Sequence, residues 1–76
     1  MVDKVQLGII LWTNCVVDIK ADGKELHLRY GVDKKNKKRN IWYCNGKNTY
    51  ISGGTDLTNY LTEKYTDIEI VYKRQF

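Results

Sequence analysis

Apolar positions change their period along this 76-residue chain, and each change predicts an element. Between Cys15 and Val32 they alternate with polar positions on either side of Asp22-Gly23, a pair that favours a two-residue type I′ turn. That turn sets the register: Lys20 opposite Glu25, Ile19 opposite Leu26, Asp18 opposite His27, Val17 opposite Leu28, Val16 opposite Arg29, and Cys15 opposite Tyr30. One face then collects Cys15, Val17, Ile19, Leu26, Leu28 and Tyr30. The other collects Asp18, Lys20, Glu25, His27 and Arg29, with Val16 its only apolar member. A slip of one residue exchanges the two faces, so the pattern predicts one pairing.

A second hairpin is predicted from Ile41–Cys44 and Lys47–Ser52 about Asn45-Gly46. It sets Cys44 opposite Lys47, Tyr43 opposite Asn48, Trp42 opposite Thr49, and Ile41 opposite Tyr50. Both of its faces are partly apolar. Val5–Trp12 mixes β-branched and aromatic residues, stops at Thr13-Asn14 and reads as a first strand, with Gly8 marking a bulge or a close backbone approach. Leu57, Tyr60, Leu61 and Tyr65 fall at helical spacing, which predicts one helix over about residues 56–65, with Thr55 as its N-cap. Ile68–Tyr72 alternates as a closing strand, and Lys73, Arg74 and Gln75 end it in polar residues. The expected architecture is a single α+β domain over residues 1–76. It has a mainly antiparallel, curved sheet of about five or six strands and one helix packed on it.

Composition supports a folded chain: 42% of residues are apolar, and two Trp, six Tyr and one Phe supply large surfaces to bury. No apolar run approaches the roughly 18 residues of a membrane span. Asp3 and Lys4 lead into no signal-type hydrophobic region, and a cytoplasmic location with no membrane partner is expected. Cys15 and Cys44 are too few for a zinc site; they are either buried thiols or one disulfide.

Charge changes the picture by position. The net charge is +4, yet residues 1–33 and 55–76 each carry one more acid than base. The excess lies in Lys34, Lys35, Lys37, Lys38, Arg39 and Lys47, with no acid between residues 34 and 54. Residues 33–40 contain no apolar side chain and predict a solvated connection.

Catalytic chemistry finds little to stand on. His27 is the only histidine, predicted beside Asp18 on the wet face, with no nucleophile placed there. Ser52, the only serine, precedes two glycines without the elbow pattern of hydrolases. Lys47 opposite Cys44 would lower a thiol pKa, but a packed apolar side chain beside Trp42 is the plainer expectation. Asp67 and Glu69, at alternate positions, suit a solvated edge better than a metal. Gly53-Gly54-Thr55-Asp56 precedes a helix as a phosphate loop does, but it has no lysine after the glycines, and Asp56 repels anions.

The expectation is therefore a non-enzymatic binding module without cofactor or metal. A protein-interaction, inhibitor or adaptor role is read first, through tyrosine-rich surface or an edge strand (Ile68–Tyr72 or Lys4–Trp12), with a protein partner or a second copy. The alternative is DNA or RNA, with Lys34, Lys35, Lys37, Lys38, Arg39 and Lys47 meeting phosphates and Tyr43 and Tyr50 stacking on bases.

Overall fold

A computed structural model describes residues 2–33, 35–37, 40–48 and 54–76. In chain order the elements are α1 (Lys4–Thr13), β1 (Asn14–Ala21), β2 (Lys24–Val32), β3 (Asn40–Cys44), β4 (Lys47–Asn48), α2 (Gly54–Lys64) and β5 (Ile68–Gln75). The strands form one antiparallel sheet in the order β4-β3-β2-β1-β5. Four strands have five residues or more, and β4 adds two. Because β4 and β5 lie at opposite edges, the chain carrying α2 crosses the full width of the sheet.

The first hairpin holds the predicted register from Val16↔Arg29 to Lys20↔Glu25, and its turn is of the predicted kind. Asp22 and Gly23 both have positive φ, 50° and 84°, as do Asn45 and Gly46 at 52° and 78°. In the second hairpin Cys44↔Lys47 and Tyr43↔Asn48 pair as expected. The expected partners Thr49 and Tyr50 lie outside the described residues.

Val5–Trp12 is a helix, not a strand, so the described residues form two helices where one was expected, and a sheet of four longer strands with the two-residue β4 where about five or six strands were expected. Alternating Val5, Leu7, Ile9 and Leu11 imitate a strand, but the chemistry at the start of the segment favours a helix. The Asp3 carboxylate accepts from the Gln6 N–H at 2.8 Å, and the Gln6 side chain accepts from the Asp3 N–H at 3.2 Å. This reciprocal capping box satisfies donors that a helix start otherwise leaves open. Leu7 and Leu11, four residues apart, then point together into the core.

The helices cover one face of the sheet. Leu7 and Leu11 of α1 and Leu57 and Leu61 of α2 pack against Val17, Ile19, Leu26, Leu28, Trp42 and Ile68. Tyr30 extends this layer, tilted on Trp42 at 5.3 Å and edge-on to Phe76 at 5.5 Å. Gly54 lets the helices approach, since a Cβ there would lie 3.4 Å from that of Leu11. Gly8, expected to mark a bulge or a close backbone approach, marks neither: it lies in α1, and a Cβ there would stand 3.8 Å from the Thr58 hydroxyl of α2, an ordinary contact. Helix α2 begins before its expected start near residue 56, and Thr58 is the polar member of its buried stripe, donating to the Gly54 carbonyl at 2.6 Å. The last strand outlasts its apolar pattern, because β1 pairs with it through Lys73, Arg74 and Gln75.

Candidate functional site

The expected site residues divide in place. Lys34, Lys38, Arg39 and Tyr50 lie outside the described residues. Lys35 and Lys37 are exposed in the connection from β2 to β3, where the Asp33 carboxylate accepts from the Lys35 N–H at 2.9 Å. Lys47 pairs with Cys44 in β4. Tyr43 is half-buried on the helix-free face: its ring lies over Gly31, 3.2 Å from where a Cβ would stand, and its hydroxyl donates to the Val32 carbonyl. Among the described tyrosines Tyr60 on α2 and Tyr72 on β5 are the exposed ones, and they belong to different elements.

Of the groups weighed for catalysis, Ser52 lies outside the described residues, and Asp18 and His27 meet on the helix-free face. The Asp18 carboxylate accepts from Arg29 at 2.5 Å and lies 3.2 Å from the His27 ring nitrogen, the surface pairing expected of that face. The Arg29 guanidinium foremost holds the Asp18 carboxyl below the usual range; burial opposes it, and the His27 ring adds a lesser lowering. Cys15 and Cys44 are free thiols. Burial pushes the Cys44 thiol up, with Lys64 opposing it, and the lowering expected from Lys47 rests on a side chain outside the described ones. Among the described residues no group of three His, Cys, Asp or Glu is placed to hold a metal.

One surface stands out that the strand reading of Val5–Trp12 hid. Helix α1 turns Leu7 and Leu11 inward and Val5, Ile9 and Trp12 outward, at 71%, 55% and 78% exposure. The outward three sit at helical spacing and form one apolar stripe. Beside it runs a groove of about 490 Å³ between the helices, lined by Lys4, Gly8 and the stripe from α1 and by Thr55, Thr58 and Asn59 from α2. The glycine at position 8 keeps the floor low, because a side chain there would fill the space before Thr58. Among the described residues Lys4 is the only charge on its walls, while Asp3 and Asp56 are exposed at the helix starts. The expected Lys4–Trp12 edge strand is thus replaced by a helix that presents an apolar face. The signal that would have found it is the spacing of Asp3 and Gln6, with Leu7 and Leu11 behind them. Compared with protein-family models, with curated proteins and with solved structures, the chain matches none.

Proposed function

We propose that the chain is a non-enzymatic protein-interaction module, of inhibitor or adaptor type, that receives its partner on the outer face of α1. The observation that carries this reading is the stripe of Val5, Ile9 and Trp12 beside the groove. Apolar side chains left together in water mark contact surfaces, and tryptophan is enriched among residues that dominate binding energy. The partner that suits it brings its own apolar side chains, as an amphipathic helix does when it lies in a groove. A nucleic acid or an anionic lipid surface suits it poorly, since among the described residues Lys4 is the one cation lining it and Asp3 and Asp56 are exposed at the helix starts.

The test is capture from lysate by the wild-type chain, by Trp12→Ala and by Ile9→Asp, each with and without nuclease. The expected result is a protein held by the wild type with nuclease present and lost from both variants. Affinity for it should fall by about 30-fold or more if Trp12 is an anchor. Capture that both variants leave unchanged, or material that nuclease removes, overturns the reading.

A further inference from the structure

The sheet order places β5 at an edge, with β1 on one side of it and no described strand on the other. Two backbone bonds show which way its peptide groups point. The Asp67 carbonyl accepts from the Asp22 N–H at 2.8 Å, toward the β1–β2 turn, whereas the Ile68 carbonyl accepts from the Val2 N–H at 2.9 Å, on the far side. Carried along the pairs Lys20↔Glu69, Asp18↔Tyr72 and Val16↔Arg74, this alternation directs Glu69, Tyr72 and Arg74 toward β1. The peptide groups of Ile70 and Lys73 are left at the open edge, and Val2, bonded to Ile68, closes that edge beyond Glu69 and so bounds any seam there. The register shift between Asp18 and Ile19 makes Val71 the extra residue of a bulge. Val71 and Tyr72 are 65% and 53% exposed.

We infer that this edge pairs with the same edge of a second copy, antiparallel, about a two-fold axis between Val71 and Tyr72. In that register Ile70 stands opposite Lys73 of the second copy, Val71 opposite Tyr72, and Glu69 opposite Arg74, each pair occurring twice by symmetry. Three features agree on it. The open peptide groups of Ile70 and Lys73 face one another and exchange hydrogen bonds as narrow pairs. Glu69 and Arg74 belong to the helix-free face and Ile70 and Lys73 to the helix face, so both of these pairs join like face to like. Finally, opposite charges meet at both ends of the seam. A shift of one residue sets Glu69 against Lys73, or Ile70 against Arg74, on mismatched faces.

A bulge and charged residues are also how a lone edge strand avoids pairing. An edge built only to repel carries charges that repel their own copies, whereas β5 carries both signs placed to match themselves. The contact is small, so the dimer is weak and depends on concentration.

Sedimentation equilibrium of the whole chain up to roughly 1 mM tests this. A reversible monomer–dimer equilibrium is expected. Glu69→Arg and Arg74→Glu should each weaken it about tenfold or more, because each sets like charges together twice. Mixing the two variants in equal amounts should restore dimer, as should joining both substitutions in one chain. Hydrogen exchange on wild-type protein, which needs no variant, should show the Ile70 and Lys73 amides slowing as concentration rises. A monomer throughout, a dimer indifferent to both charge changes, or amides that do not respond would overturn the inference. Trp12→Ala leaves this dimer intact, so the edge and the α1 face stand or fall separately.

Discussion

At the scale of the residue, Asp22 works twice. Its positive φ closes the first hairpin, and its carboxylate accepts from the N–H groups of Asp67, at 2.7 Å, and Thr66, at 3.0 Å. Those two bonds, Asp67 first, hold its carboxyl below the usual range. Asp18 is held down as well, by Arg29 above all. A carboxyl whose pKa is lower in the folded chain than in the unfolded one adds stability at any pH above its unfolded value. That stability is lost as the pH falls through the folded value. Urea midpoints should therefore hold steady near neutrality and drop below about pH 4. In Asp22→Asn the drop should shrink and the neutral midpoint should fall, since the amide is the weaker acceptor; equal pH profiles in the two proteins would remove Asp22 from this role.

Elements differ in how plainly residues declare them. The first hairpin was legible because Asp22-Gly23 favours one turn type and its alternating side chains admit one register, whereas the second, partly apolar on both faces, was legible from its Asn45-Gly46 turn alone. The N-terminal segment was misread because it is apolar on all sides. Val5, Leu7, Ile9 and Leu11 satisfy a period of two, and Leu7 with Leu11 satisfies a helix equally well. Asp3 and Gln6 decide between them, which makes a test. Asp3→Ala should cost about 1 kcal/mol in urea unfolding through loss of the cap, and Leu11→Ala about 2–5 kcal/mol through the cavity it leaves. A strand would feel the second change and ignore the first. Gly8→Ala probes the same helix from the other side. The new methyl would sit 3.8 Å from the Thr58 hydroxyl, an ordinary contact, so higher helix propensity should raise stability by up to about 1 kcal/mol. Destabilisation instead would mean that the helices sit closer than described. The candidate surface followed the fate of this element. Once the segment is helical, half of its apolar residues must face water, which no strand reading anticipates.

Across the whole molecule, the helices shield one face of the sheet and leave the other to Asp18, His27, Arg29 and Tyr43. Among the described residues, most large apolar side chains that escape burial lie on α1 or at β5 and the chain end after it, with Val32 on β2 and Tyr60 on α2 apart from them. No helix among the described residues is long and apolar enough to cross a membrane. The two tryptophans report the division of inside from outside, since Trp12 is exposed and Trp42 is 1% exposed. Iodide should quench the red-shifted part of the emission and spare a blue-shifted remainder, and Trp12→Phe should remove the quenchable part alone. Quenching that survives Trp12→Phe would place Trp42 in water and contradict the core.

The carboxylate at the first turn also orders events in time. Strands β1 and β2 are neighbours in sequence and close quickly, whereas β5 arrives from more than forty residues away. It finds its seat only where the finished turn offers Asp22 to the corner after α2. The expected order is the β1–β2 hairpin first and β5 last, and pulsed hydrogen exchange during refolding should show the β1–β2 amides protected before those of β5. When the Asp22 latch lets go, the corner and the strand behind it should fray together and leave the older hairpin standing.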